Sequence, residues 1–431
     1  MSIGGVIRRF GYQLRDWALF DTKERICPQW REIQETLRDY HTGWPKVEAA
    51  LARCLETARV HSPFYKVVKG EGLHAFPVMN KLSLIDYFDV IRNPAIQDFE
   101  VHVSSTSGST GTPFRIVQDV AKRNRVLAEL QVFGERAGYF SHEKMLFFRA
   151  LHYVPFWSMF WSNVWQRDIA SLSEERMAEL YQEQQKGYVG ILAYASTLDV
   201  LTKCWLAQGL KGSPKVRTVF AGSEMLSEET RQNVQTFWPN SRCYSRYSNM
   251  ENGILGQEAE VPQQFQLNWA SYYFEVLKFD SDTPADEGEL GRIVVTDMYN
   301  RAFPMIRYDT GDVGVLVRPE NDWPYLTQLG GRRLDLIYNT SGETLSPHLL
   351  STGLWGVKGV RQWQFIQEER KRYRLTFIAS DERLARQSLQ ERHNILQKIL
   401  GLDAEIIYER IEAFPQLASR KHKMIVQKMK P

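Results

Sequence analysis

The chain has 431 residues, and its 54 Lys and Arg against 51 Asp and Glu leave a formal charge of +3. That balance argues against a dedicated nucleic-acid binder, whose basic residues cluster in excess. With 43% hydrophobic and 24% charged residues, wholesale disorder is excluded too, and the length predicts two or three domains at roughly 150 residues each.

Near the N-terminus Arg8 and Arg9 are paired, but Gln13, Arg15, Asp16 and Asp21 interrupt the apolar stretch that an export signal needs. No run of about 18 uncharged apolar residues occurs, so a cytoplasmic protein without a transmembrane segment is expected. Cys27, Cys54, Cys204 and Cys243 are scattered and form no CxxC or Cys/His ligand spacing, which argues against structural zinc and a disulfide framework. Residues 22–62 read as helical and polar, with Leu51, Cys54, Leu55 and Ala58 at helical spacing before Pro63. From about residue 100, strand-like runs at 216–222, 291–298 and 313–317 alternate with helices such as Ser227 to Phe237. That alternation predicts an α/β body. The last hundred residues read as a small α+β unit: strands at 360–366 and 373–379, a helix from the N-cap Asp381 to Gly401, and a strand at 405–411. The boundary is placed near residues 330–335, dividing the chain into 1–330 and 331–431.

The stretch Ser104 to Phe114, SSTSGSTGTPF, interleaves Ser105, Thr106, Ser107, Ser109 and Thr110 with Gly108 and Gly111. Glycines let the backbone turn its N–H groups inward and hydroxyls add donors, a nest suited to phosphate oxygens. A flexible Ser/Gly linker has the same composition. The flanks FEVHVS and FRIVQD alternate like strands, however, so a tight loop inside a sheet is expected. It is not a Walker A loop, because no Lys follows Gly111.

This loop, with further blocks in order, resembles the adenylate-forming (acyl-CoA synthetase-like) superfamily. SPFY at 62–65 and FPVMNK at 76–81 look most like its phenylacetate–CoA ligase branch, which includes a capsular-polysaccharide-biosynthesis group. The resemblance implies a large N-terminal adenylation domain of sheets and helices and a small mobile α+β C-terminal domain. It also implies activation of a small carboxylic acid with ATP and Mg²⁺ as acyl-adenylate, then transfer to a thiol acceptor, coenzyme A. By the same resemblance the 105–111 loop binds phosphates, Gly222, Ser223 and Glu224 of FAGSEML lie beside the adenine, and Tyr247 packs on the base. Glu251 holds the magnesium, which needs hard oxygen ligands, and Asp312 of Arg307-Tyr-Asp-Thr-Gly-Asp312 binds the ribose diol, a role suited to a carboxylate. Asp-Thr-Gly-Asp also suits a plain surface turn. Arg332 touches the nucleotide, Asp335 is the inter-domain hinge, and Lys421 is the adenylation lysine, with Lys423 as second choice.

The sequence departs from the family pattern at several places, among them a stretch between Asp335 and Pro347 about one residue longer than in relatives. Met250 replaces a hydroxyl, Ser248 replaces a glycine, Arg420 stands where glycine is usual, and the lysine after the second loop glycine is missing, with Arg115 as a substitute charge. Two other readings therefore stand beside the first: transfer to an amine, hydroxyl or carrier protein, or a catalytically degenerate nucleotide-binding protein. The segment Met145 to Trp165 reads as buried wall. Trp157, Trp161 and Trp165 repeat every four residues, as on one face of a helix. That stripe suits core or a subunit contact, leaving a homodimer open, or else an apolar acyl pocket.

Overall fold

The computed structural model describes residues 26–97, 101–106, 114–149, 154–169, 173–332, 337–342, 344, 345, 350, 354, 357–414 and 425–428. The predicted helical region at 22–62 is two helices, α1 (Ile26–Thr36) and α2 (Tyr40–His61). They are separated at Asp39, whose side chain accepts from Thr42 N and caps the second. Two short helical turns follow at Lys81–Asp86 and Phe88–Ile91. Strands β1 (Val101–Thr106) and β2 (Phe114–Asp119) then pair antiparallel, with Thr106 opposite Phe114. They flank the Ser/Thr/Gly segment, as the alternation on both sides predicts.

Asp119 caps α3 (Val120–Arg136) through Lys122 N. Among the described residues the main sheet has eleven strands, parallel toward one end and antiparallel toward the other. Its parallel part comprises β3 (Met145–Arg149), β4 (Val164–Asp168), β5 (Gly190–Tyr194), β6 (Thr218–Gly222) and β7 (Arg242–Asn249). Helices α4 (Phe156–Ser162), α5 (Glu174–Gln184), α6 (Ala195–Ala207) and α7 (Glu228–Phe237) come between these strands in the chain, as parallel crossovers require. The antiparallel part contains β8 (Gly253–Glu258), β9 (Phe265–Leu267), β10 (Tyr272–Leu277), β11 (Gly291–Asp297), β12 (Tyr308–Val317) and β13 (Tyr325–Arg332).

Burial explains which runs became strands. Every residue of β11 is buried, and Leu146, Phe148, Ile191, Val219, Leu198, Leu201, Trp205 and Trp238 form one apolar cluster between the parallel strands and their helices. Each such side chain contributes about 1.5–3 kcal/mol when fully buried. Lys122 is also fully buried, with Nζ 2.9 Å from Asp297 and 2.8 Å from the Tyr272 hydroxyl. Glu129, buried nearby, has its carboxyl pushed up by burial, an effect that the Lys122 charge opposes.

The C-terminal unit matches its predicted elements closely. After the short strands β14 (Ile337–Tyr338) and β15 (Thr344–Leu345) come β16 (Val360–Gln367), β17 (Arg372–Ala379), α8 (Glu382–Leu400), β18 (Glu405–Arg410) and β19 (Ile425–Gln427). A four-stranded sheet runs β18-β17-β16-β19. Asp381 caps α8 through Leu384 N, and Gly401 ends it with φ +117, a conformation open to glycine at little cost. The architecture is mixed α/β with a small α+β unit at its end.

The aromatic tract departs from expectation. Helix α4 stops at Asn163, whose left-handed φ of 56 closes its C-terminus. Trp165 therefore lies on β4 and does not continue a helical stripe. Of the expected buried wall, the β3 part is buried, with Met145, Leu146 and Phe148, but no residue of α4 is, and Trp157 and Trp161 are 67% and 61% exposed. Among the described aromatics of the tract, Phe148, inside β3, is buried in the core, and the half-buried Trp165 packs against it.

Candidate functional site

Strands β3, β5, β6 and β7 all end on one edge, where ligands of open α/β sheets bind beyond the carboxyl ends of the strands. Strand β6 ends at Gly222, and Ser223 turns sharply with φ +66, an uncommon conformation for a side-chain-bearing residue. The Glu224 carboxylate accepts from Ser196 N at 2.9 Å. It sits at the start of α6, where a negative charge offsets the helix dipole. Of the predicted Gly222-Ser223-Glu224 turn, the acidic side chain is thus committed to a helix terminus, leaving main chain to face a ligand.

Tyr247, on the next strand, donates its hydroxyl to Asp312 Oδ2 at 3.0 Å. Burial, reinforced by the Asp312 charge, holds its phenol well above the ordinary tyrosine range, so the hydroxyl keeps its proton and donates the hydrogen bond. Asp312 retains further acceptor capacity. The Asp-Thr-Gly-Asp segment is not a surface turn: it lies inside β12 as an irregularity, with Gly311 at φ +79 and a register shift at Asp312. Asp309 faces inward and is held by Arg292 Nη1 at 3.1 Å. Thr310 Oγ1 accepts from Asp312 N and donates to Ile293 O. Arg332 stands opposite Asp312 in the β12–β13 ladder. Three predicted residues from distant blocks, Tyr247, Asp312 and Arg332, are thus neighbours.

Glu251 occupies the turn between β7 and β8, buried to 9% exposure beside the exposed Met250. Its main chain is held from two sides. Gln118 Nε2 donates to Glu251 O at 3.2 Å, and the Tyr272 hydroxyl donates to Asn252 O at 2.7 Å while receiving from Lys122. Gln118 lies on β2, the strand that follows the Ser/Thr/Gly segment, so the hairpin carrying that segment is bonded to the Glu251 turn. Ser105 and Thr106 are in β1. Ser107, Gly108, Ser109, Thr110, Gly111, Asp335, Lys421 and Lys423 lie outside the described residues. Arg115 places its guanidinium over the Phe88 ring, 5.5 Å from the centroid.

Among the described residues no three His, Cys, Asp or Glu side chains converge on one point. A magnesium ion at Glu251 would therefore take its other ligands from nucleotide phosphates and water, the set this hard cation prefers. Gln118, whose anchoring role the sequence reading missed, carries no local signal beyond its place five residues after the loop proline.

Residues 337–428 match the model of the CapK C-terminal domain. Comparison of the sequence with curated proteins gives no match. Among solved structures, a 2-hydroxyisobutyryl-CoA ligase in its post-adenylation state superposes with a TM-score of 0.74 at 16% identity, covering 92% of this chain and 91% of that one. The same ligase in its thioesterification state, with adenylate and coenzyme A, gives 0.53. The anthranilate CoA ligase AuaEII with anthranoyl-AMP gives 0.56 at 14% identity, over 74% of this chain and 64% of that one. The fold is that of the two-domain adenylate-forming ligases.

One expected result follows from the ribose role that the resemblance implies for Asp312. Asp312→Ala should raise the ATP concentration needed for half-maximal rate by about tenfold or more, because hydrogen bonds to a charged acceptor are lost in ground and transition states alike. Initial rates against ATP check this, and an unchanged ATP requirement would remove Asp312 from the nucleotide site.

Proposed function

We propose that this protein activates a small carboxylic acid with ATP, forming an acyl-adenylate and releasing pyrophosphate, and then transfers the acyl group to the thiol of coenzyme A. The observation that carries the reading is the convergence of Tyr247, Asp312 and Arg332 in one patch, together with the bond from the loop-bearing hairpin to the Glu251 turn. In this reading residues 1–330 bind nucleotide and acid, and residues 331–431 bring Lys421 to the reacting groups and withdraw it by turning about Asp335.

The chemical difficulty is to bring a carboxylate against an α-phosphate of like charge. Lys421 offsets that repulsion and stabilises the charge developing on the phosphate. The hydroxyls and N–H groups of 105–111 hold the β- and γ-phosphates, the 222–224 main chain and the Tyr247 ring frame the adenine, and Asp312 fixes the ribose. Positioning supplies much of the remaining acceleration. Magnesium, held by Glu251 and the phosphates, supplies charge neutralisation when bound.

Glu251→Gln keeps the shape of the side chain and removes its charge. The Mg²⁺ concentration for half-maximal rate should rise roughly tenfold or more, as losses around metal sites generally do. A magnesium titration of pyrophosphate exchange tests it, and an unchanged midpoint would take the metal away from Glu251. The match to the CapK C-terminal domain favours a second reading of the last step, in which the acceptor is an amine or hydroxyl of a surface-polysaccharide precursor, or a carrier protein. Release of AMP with each acceptor in turn separates the two.

A further inference from the structure

A transverse row of the sheet carries chemistry that the nucleotide site does not use. In register, Asp168 pairs with Arg149, and the β3–β5 pairing of Phe148 with Ala193 sets Arg149 beside Tyr194. Tyr194 pairs with Gly222, Gly222 with Arg246, and Arg246 with Gln257. Register partners in a sheet share a face, and neighbouring strands lie about 4.8 Å apart. Arg149 and Arg246 thus stand three strand spacings apart, about 14 Å between backbones, on either side of Gly222. The Arg246 guanidinium lies 4.0 Å from the Phe220 ring centroid, two residues back along the Gly222 strand, so it leans over β6. Among the described residues, nothing but its chain neighbours would come within 4 Å of a Cβ at Gly222. The row therefore has an open notch at its centre and a cation on each side.

Among the described residues neither cation has a carboxylate partner. Arg246 is 9% exposed, and the Gln257 amide oxygen is its polar partner, at 3.1 Å from Nε and 3.0 Å from Nη2. Burial without a carboxylate lowers its pKa to about 10, which leaves it charged at neutral pH. Arg149 stacks on Phe147 at 5.3 Å, and its Nε is buried with no acceptor. No ion pair joins it to Asp168 or to any other described carboxylate. Glu224, the acid nearest Tyr194 in effect, is held on Ser196 N. Buried charge without a partner is costly; Arg246 is such a charge, and the half-buried Arg149, with its Nε enclosed, stands on the other side of Gly222.

We infer that this notch is the acyl subsite and that Arg149 and Arg246, with the Tyr194 hydroxyl, select an acid bearing a second anionic group, a dicarboxylic acid whose distal carboxylate lies over Gly222. A neutral aliphatic or aromatic acid would leave the buried Arg246 guanidinium and the enclosed Nε of Arg149 without an anionic partner, and that penalty is how a site built for a polar group rejects an analogue lacking it. The inference rests on the adenylation reading.

The test is ATP–pyrophosphate exchange with matched acids, each dicarboxylic acid against its mono-methyl ester and against the monocarboxylic acid of equal length. Wild-type protein should prefer the diacid by at least about tenfold in kcat/KM, and Arg149→Gln, or Arg246→Gln, should bring that ratio close to one. Because both acids meet the same preparation, their ratio is independent of the folded fraction, and Arg149→Gln alone decides the outcome if Arg246→Gln does not fold. A preference for neutral acids, or a diacid preference unaltered in Arg149→Gln, overturns the subsite and leaves adenylation standing. No exchange with any acid overturns the adenylation reading and the subsite together.

Discussion

Lys421→Ala should lower acyl-adenylate formation by about a hundredfold to a thousandfold, the loss that follows removal of one group stabilising transition-state charge. The expectation comes from the family resemblance of the 420–426 segment and from the repulsion that any carboxylate meets at an α-phosphate. Thioester formation from pre-made acyl-adenylate should largely survive, because that step breaks the acyl–phosphate bond and needs no help to form it. The two half-reactions are measured separately, by pyrophosphate exchange and by thiol consumption with supplied adenylate. Equal loss in both would contradict the division of labour. Full adenylation in the variant would transfer the role to Lys423.

The second large effect concerns stability. Lys122→Met should destabilise the N-terminal domain by about 3–5 kcal/mol, because it leaves Asp297 and Glu129 buried without their counter-charge. Lys122 also supports the Tyr272 hydroxyl that holds Asn252 O, so magnesium dependence should shift with it. Adding Asp297→Asn should recover part of the loss, since the two side chains share one interaction and their costs are not additive. Denaturant midpoints of the single and double variants give the comparison. A cost for the pair equal to the sum of its parts would mean that the ion pair contributes nothing.

What could be read from the sequence was local. Asp381 and Gly401 announce the ends of α8 because capping and left-handed closure are written within a few residues. The hairpin around the Ser/Thr/Gly segment was legible from alternation on its two sides. Asn163, which ends α4 and hands Trp165 to a strand, was overlooked because a four-residue aromatic spacing reads equally well through such a break. The Asp-Thr-Gly-Asp segment has turn composition, yet strand pairing on both sides of β12 outweighs it and leaves the glycine as an irregularity. Gln118 on Glu251 and Arg149 beside the Gly222 notch depend on long-range register. No spacing rule links Arg149 to Arg246 when the pairing of four strands decides that they face one space.

The central claim is acid-dependent formation of an adenylate, and the most direct measurement is incorporation of labelled pyrophosphate into ATP with a panel of carboxylic acids and no acceptor present. The account predicts exchange that requires a particular acid and magnesium, and that Glu251→Gln and Lys421→Ala suppress. ATP that binds tightly but never exchanges pyrophosphate with any acid would contradict it.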